Sequence, residues 1–312
     1  MQLPPIGGNS VPATVGSIGG ALSVDNNGDA AYSVPFALPP GRRGMAPAIG
    51  LSYSSAGTNG IAGVGWRLEG LSFADTSCEG GDVAVCIDGV KLYRGAANGS
   101  LEYHNDDLAP DPEAGVDPSF AAIEDAAFFL ADPSDGSRTY ALERTIGNTT
   151  CNDYKVVHPD GNEAYYSCID EEAGVPYGGT QLPLVRSTDA YGNYVAYEWM
   201  ALGEDNDVLL PKRIGYTGNS EHDLSPTKWV VFEYEEERPD SVHYRGTDRL
   251  SQRLSAVRIE SDFAENHREY QLSYEEASGL SLLESGAECV AGSGGGAGGE
   301  AAGRGGGGGG GG

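Results

Sequence analysis

The chain has 312 residues, 39% of them hydrophobic, and a formal net charge of −27 from 46 acidic against 19 basic side chains. That length allows one large or two ordinary domains, and the acidic surplus argues against nucleic acid or an anionic membrane surface as partner, since both require clustered Lys and Arg. No apolar run reaches about 18 residues, so no membrane span is expected, and the N-terminal stretch lacks the basic-then-apolar order of an ordinary signal peptide.

Residues 1–20 are rich in Gly, Pro and Ser and read as a loose lead-in to a β domain over 21–290. A short strand, Ala21 to Val24, precedes Asp25-Asn26-Asn27-Gly28-Asp29. This stretch lacks the bidentate Glu that ends a Ca²⁺ loop and reads as a hairpin turn. Next comes GDAAYSVPFALPPGRRGMAPAIGLSYSSAGTNGIAGVGWRLEGLS, from Gly28 to Ser72. Tyr32, Val34, Phe36 and Leu38 alternate with small or polar residues. So do Ile49, Leu51 and Tyr53, and then Val64, Trp66 and Leu68. Such alternation marks strands with one buried face, and the Pro-Pro-Gly and Asn-Gly clusters mark bends. The stretch is expected to form a β-meander.

Val83 to Tyr93 reads as a hairpin about Asp88-Gly89. Residues 103–119 are acidic and Pro-rich, hence a loop. Ala121 to Leu130 turns through Asp132 to Gly136 into Thr139 to Leu142, and a hairpin is expected. Tyr154 to Val157 pairs with Ala164 to Cys168 about Pro159-Asp160-Gly161-Asn162. Leu182 to Arg186 pairs with Tyr194 to Trp199 about Asp189 to Asn193. Leu209 to Asn219 leads to Trp229 to Tyr234, and Leu250 to Glu260 with Arg268 to Tyr274 makes a last pair. No stretch of about 12 residues shows helical periodicity. The 17 Tyr, against 7 Phe and 3 Met, suit half-exposed strands. The tail 291–312 holds 15 of the 48 glycines. It has no apolar residue larger than Ala and is expected to be disordered, as a linker or the altered end of a longer reading frame.

Cys78, Cys86, Cys151, Cys168 and Cys289 are an odd count without C-x-x-C, which supports neither a disulfide framework nor a zinc or redox motif. A two-residue turn at Asp160-Gly161 sets position 153 opposite 168 and Cys151 on the diagonal of Cys168. A disulfide is sterically open there, but two buried thiols are the expectation.

The motifs resemble the SpvB-type N-terminal domain, the family that opens the B components of tripartite insecticidal toxin complexes and many RHS (YD) repeat proteins. Tyr32-Ser33-Val34-Pro35, Leu38-Pro39-Pro40-Gly41, Gly44-Met45-Ala46-Pro47, Leu51-Ser52-Tyr53-Ser54-Ser55, Asn59-Gly60 and Gly63-Val64-Gly65-Trp66 through Ser72 follow the family pattern in register. Cys86-Ile87-Asp88-Gly89-Val90-Lys91-Leu92 is similar to its C-L-D-G-x-x-L segment, and Asp189 to Tyr197 to a YD-type repeat. Tyr244-Arg245-Gly246, Arg253 to Ile259 and Arg268 to Tyr274 resemble its closing strands. The likeness covers roughly 12–285. It implies an all-β fold of antiparallel hairpins in a meandering, curved RHS-like sheet that forms part of a shell. Each hairpin alone is marginal, and stacking supplies the burial. The implied role is that of a non-catalytic structural module enclosing or delivering a C-terminal toxin. Its partners would be downstream RHS or β-propeller regions, other toxin-complex subunits and the toxin cargo. The protein would be assembled in the bacterial cytoplasm and released to the exterior without an ordinary signal peptide.

In that family, ADP-ribosyl transfer belongs to a separate C-terminal domain with an Arg, a Ser-Thr-Ser strand and a Glu-x-Glu turn. Here Glu235-Glu236-Glu237 is a charge run, and Ser187-Thr188-Asp189 is already used by a hairpin. His104, His158, His222, His243 and His267 have no metal-ligand spacing, and none sits beside a candidate Ser or Cys nucleophile in a recognisable motif. Gly63-Val64-Gly65 lacks the third Gly and helix of a nucleotide loop. Trp66, Trp199 and Trp229 sit on apolar faces that suit core packing. No catalytic, cofactor or metal residue is therefore assigned. The competing reading is a self-contained secreted β-scaffold enzyme or carbohydrate-binding protein.

Overall fold

Among the described residues of the computed structural model every regular element is a strand, and every sheet is antiparallel. The structure describes residues 20–24, 28–78, 83–94, 128–131, 135–146, 149–170, 175–177, 179–203, 208–235, 238–240, 242–243, 249–261, 267–275 and 279–290. The expected Gly-rich tail, the acidic loop at 103–119 and nearly all of the N-terminal lead-in lie outside these residues.

After β1 (Ala21–Val24), the Gly28–Ser72 stretch forms the expected meander. Its strands are β2 (Ala30–Pro35), β3 (Gly50–Ser54), the short pair β4 (Asn59–Gly60) and β5 (Gly63–Val64), and β6 (Trp66–Glu69). The sheet order is β1-β2-β3-β6. Val34, Phe36, Ile49 and Leu51 are buried, as the alternation requires. They pack on Ile214, Val230, Leu254, Val257 and Ile259 of a second, longer sheet, which makes this part a two-layer sandwich.

The longer sheet begins with β7 (Phe73–Asp75), β8 (Val83–Ile87), β9 (Val90–Arg94), β10 (Phe128–Ala131), β11 (Arg138–Ile146), β12 (Thr149–Val157) and β13 (Glu163–Tyr166). After a small pair, β14 (Ile169–Asp170) and β15 (Val175–Pro176), it resumes with β16 (Gln181–Thr188), β17 (Asn193–Leu202), β18 (Val208–Asn219) and β19 (Lys228–Glu235). A second small pair, β20 (Val242–His243) and β21 (Arg249–Leu250), precedes β22 (Arg253–Ser261), β23 (Arg268–Glu275) and β24 (Leu282–Val290). Its order is β13-β12-β11-β10-β9-β8-β7-β16-β17-β18-β19-β22-β23-β24, and β13 also pairs with β16. The pairings of β7 to β13 and β16 thus return on themselves. Val85, Leu92, Tyr154, Val156, Leu182 and Leu184 from these strands share one core. The rest of the sheet carries the sandwich.

Asp88 and Gly89 both have positive φ, 50° and 83°, and Ile87 faces Val90. This is the expected two-residue hairpin with a primed turn. The Asp160-Gly161 turn differs from expectation by one residue. Tyr154 faces Tyr166 and Val156 faces Ala164, which sets 153 opposite 167. The reason is local. The His158 N–H donates to Asn162 O at 2.8 Å, and the Gly161 N–H to His158 O at 3.0 Å. Pro159 presets a type I turn and Gly161, at φ 83°, forms the bulge that follows it. The Asp189–Asn193 turn repeats the plan, with Asp189 N–H donating to Asn193 O and Gly192 N–H to Asp189 O. The cysteines correct a second expectation. Cys151–Cys168 and Cys78–Cys86 are disulfides rather than thiols, with Cα–Cα distances of 6.1 and 6.0 Å. The last predicted pair also gains a partner, β24, whose Glu284-Ser285-Gly286-Ala287 stretch carries no apolar alternation to announce it.

Candidate functional site

The polar side chains that the structure gathers most densely lie along the seam between the two sheets. The turns of the Gly28–Ser72 stretch meet the long sheet there at three junctions.

The first is built on Pro39 to Gly44. Arg43 and Gly44 have φ 50° and 85°, which turns the chain back so that Met45 N–H donates to Arg42 O at 2.8 Å. The loop then offers its backbone outward. Pro39 O accepts from Tyr216 Oη at 3.0 Å and Pro40 O from Lys228 Nζ at 2.5 Å. Arg42 Nε donates to Thr217 O at 2.5 Å. The Arg43 guanidinium lies 3.7 Å from the Tyr191 ring centroid, a cation–π contact. Tyr191 sits in the Asp189–Asn193 turn. Burial works to raise the Asp189 pKa, but donation from the Asn193 amide and from the Tyr191 and Asn193 N–H groups outweighs it and holds the carboxyl below its ordinary range. Asn219 Nδ2 ties the turn to β18 through Tyr191 O and Asn193 Oδ1, both at 2.9 Å.

The second junction is built on Asn59 to Gly65. Arg238, whose side chain is 0% exposed, donates to Asn59 Oδ1 at 2.6 Å, Gly60 O at 3.0 Å and Asp240 Oδ1 at 3.0 Å. Asp240 Oδ2 accepts from Asn59 Nδ2 at 2.7 Å and from the Ser281 N–H at 2.5 Å, and Ser281 Oγ donates to Asp240 Oδ1. Burial raises the Asp240 pKa, and these donors overcome it, so the carboxyl stays ionised far below the ordinary range. Val64 N–H donates to Ser281 O at 2.9 Å. A Cβ on Gly63 would come within 2.3 Å of that same oxygen. Beside the knot, Arg253 pairs with Glu235, lies over the Tyr274 ring and donates to Ser281 Oγ.

The third junction joins Ser72 to the Asp88 turn. Ser72 Oγ donates to Asp88 Oδ2 at 2.7 Å and lies 2.7 Å from Tyr166 Oη, while Phe73 N–H donates to Asp88 Oδ1 at 3.0 Å. Burial pushes the Tyr166 phenol well above its ordinary pKa.

One charged cluster lies away from the seam. Asp153 is 1% exposed. It accepts from Tyr165 Oη, from the Cys168 N–H at 2.7 Å and from Arg144 Nη1 at 3.4 Å. Burial raises its pKa against these donors. Lys155, also buried, pairs with Glu163 at 2.8 Å. Sequence reading singled out neither this cluster nor the Arg238–Asp240 pair.

The residues weighed from sequence are dispersed. Glu235 binds Arg253, and Glu236 and Glu237 lie outside the described residues, as does His104. His158 Nδ1 lies 2.8 Å from Ser137 Oγ. His222 occupies the turn where its N–H donates to Asn219 Oδ1, and His243 and His267 lie on or beside other strands. Trp66 packs against Tyr32 and Tyr53. Trp199 is buried and its Nε1 donates to Leu184 O at 2.8 Å. Trp229 covers Gly215 beneath the Arg213 guanidinium. Among the described residues, no group of three or more His, Cys, Asp or Glu side chains could hold a metal ion. The carboxylates of Asp153 and Asp240 are each met by several internal donors.

Fold and seam define an all-β module in which a small motif-bearing sheet is fastened to a long hairpin sheet. Residues 24–75 match the family described as SpvB, Salmonella virulence plasmid 65kDa B protein. The mono(ADP-ribosyl)transferases SpvB of Salmonella choleraesuis and Salmonella typhimurium are 28% identical over 228 residues, which is 68% of this chain and 36% of theirs. The chain thus spans about a third of the length of these relatives. The solved N-terminal domain of the effector SpvB from Salmonella typhimurium aligns with TM-score 0.57 at 18% identity, covering 83% of this chain and 98% of that one. A TcdB2-TccC3 structure aligns with TM-score 0.58 at 17% identity, over 89% of this chain and 16% of that one. The Photorhabdus luminescens Tc holotoxin pore gives TM-score 0.57 at 18% identity, over 89% and 16%. At these identities the structural likeness is one of fold. Over residues 24–75 the chain thus matches the SpvB family, and beyond them the likeness to the SpvB N-terminal domain is one of fold.

Proposed function

We propose that this chain is a non-catalytic structural module of an RHS/toxin-complex-type virulence protein, forming part of a β-shell that encloses or delivers a C-terminal toxin. The supporting observation is the seam. The Pro39–Gly44 loop, the Asn59–Gly65 segment and Ser72 are all engaged in fastening one sheet to another, through exposed and part-buried donors and acceptors that are matched to one another. On this reading the partners are downstream RHS or β-propeller regions, other toxin-complex subunits and the toxin cargo. Assembly takes place in the bacterial cytoplasm, followed by release without an ordinary signal peptide. ADP-ribosyl transfer, which names the Salmonella relatives, is assigned to a region other than the one this chain shares with them.

The test has two arms. The purified chain is assayed for NAD-dependent ADP-ribosyl transfer to a protein acceptor and for hydrolysis of a glycan panel, and no turnover is expected in either. It is then co-expressed with an RHS-repeat region of a toxin-complex B component, and a co-purifying complex is expected. Turnover by the chain alone, or failure to associate while folded, overturns the proposal.

A further inference from the structure

The two disulfides lie in one half of the molecule. Cys78–Cys86 joins the segment after β7 to β8, and Cys151–Cys168 joins β12 to the segment after β13. Of the four disulfide cysteines, Cys86 and Cys151 thus lie on strands whose pairings return on themselves and Cys78 and Cys168 just after such strands, while the described buried residues of the sandwich core include no cysteine. The links stand where the ladders are short. β7 and β8 meet through Ala74↔Ile87 and Asp75↔Cys86 alone, and β12 meets β13 through Tyr154↔Tyr166 to Val157↔Glu163. A ladder so short contributes little by itself, and a cross-link limits what its opening gains in chain entropy.

A second observation couples the Cys151–Cys168 link to the buried charge. The Cys168 N–H donates to Asp153 Oδ1 at 2.7 Å, and Ile169 beyond it is fully buried. If this segment shifts, a desolvated carboxylate loses a donor and its neighbours must admit water, which is costly for a group so deeply buried. Each disulfide also pairs a buried residue, Cys86 or Cys168, with a half-exposed one, Cys78 or Cys151.

We propose that the ring of strands β7–β13 and β16 is a thiol-sensitive module, locked when both disulfides are formed and opened by reduction while the sandwich stays folded. In the reducing step, the thiolate of a small thiol of the glutathione class attacks the sulfur of Cys78 or Cys151. The S–S bond breaks and the partner cysteine leaves as a thiolate, which takes up a proton. A second small thiolate attacks the small-molecule sulfur of the mixed disulfide. The protein cysteine leaves as a thiolate and is protonated, and one oxidised small disulfide is released for two electrons transferred. Reoxidation in an oxidising compartment reverses the sequence. The proposal concerns the ring alone and holds whatever the chain assembles with.

The test is amide hydrogen exchange on the full chain, oxidised and after treatment with excess reduced glutathione, with thiols counted by alkylation. Reduction is expected to speed exchange about tenfold or more in β8, β9 and β11 to β13, and to leave β3, β18 and β22 unchanged. Unchanged ring protection after Cys78, Cys86, Cys151 and Cys168 become alkylatable overturns the proposal, as does loss of protection in the sandwich together with the ring. So does oxidised protein in which these four, and not Cys289 alone, alkylate without reductant. The paired variants C78S/C86S and C151S/C168S report without a reductant, since each is expected to loosen the ring and to keep the sandwich protected. A variant that unfolds throughout counts against the independence of the two parts.

Discussion

Arg238 has no exposed side-chain surface, yet it is surrounded by the acceptors its guanidinium needs. Asp240 is its neighbour at two residues, but its other main partners come from far along the chain. Asn59 and Gly60 are 179 and 178 residues away in sequence, which is why the knot as a whole escapes a reading based on neighbours and spacing. Removing one partner strands the other in a site without water. Asp240→Asn is therefore expected to cost about 3–5 kcal/mol, read as a lower urea midpoint at unchanged slope. The half-buried carboxylates of Asp240 and Asp189 respond to pH oppositely to the buried one of Asp153. Asp240 and Asp189 are held low in the folded state. Their contribution is present above the unfolded carboxylate pKa and is lost as pH falls through their folded values. Asp153 is raised, so its contribution is full below the unfolded pKa and is lost as pH rises through the folded one. Wild type is therefore expected to gain stability relative to Asp153→Asn when the same urea titration is moved from about pH 7 to about pH 4. A difference that is flat or reversed would refute the assignment of burial as the dominant cause.

At the scale of elements, alternation was enough to place β2, β3, β6 and the β8–β9 hairpin, because one buried face at period two leaves a direct imprint on the sequence. Register at Asp160-Gly161 was misread because Asp-Gly serves both two-residue turns and longer turns closed by a glycine bulge, and Pro159 selects the second. The strand β24 left no imprint, since its described residues are mostly half-buried and paired on one side. The seam was visible only as glycines. Two of these allow a controlled comparison. Gly63 and Gly44 have similar left-handed backbones, φ 93° and 85°, but a Cβ on Gly63 meets Ser281 O at 2.3 Å whereas one on Gly44 meets nothing within 4 Å. Gly44→Ala is expected to cost about 1 kcal/mol for backbone strain alone. Gly63→Ala is expected to cost about 2–3 kcal/mol or more, since it also separates Val64 from Ser281. Equal losses by thermal or urea unfolding would mean that the Asn59–Gly65 segment is not held against β24.

For the whole molecule, edges and charge oppose each other. Among the described residues the small sheet ends at β1 and the long sheet at β24, each with one ladder neighbour. On β1, Leu22 and Val24 are 73% and 67% exposed. An edge of this kind is a template for pairing with another strand, whether from a shell partner or from a second copy of the chain. Against it stands the net charge of −27, which repels copies at distances within the Debye length, about 10 Å in 0.1 M salt. The isolated chain should therefore be monomeric at low salt and micromolar concentration. It should associate as either salt or protein concentration rises, because screening removes the repulsion and leaves the edges unchanged. Light scattering across a matrix of the two variables measures this directly. The double variant Leu22→Lys with Val24→Lys adds charge to the β1 edge, a natural device against pairing, and is expected to delay association at high salt without lowering the unfolding midpoint. Association that weakens with added salt would show charge pairing between copies instead, and would remove the edges from the account of how this module meets its neighbours.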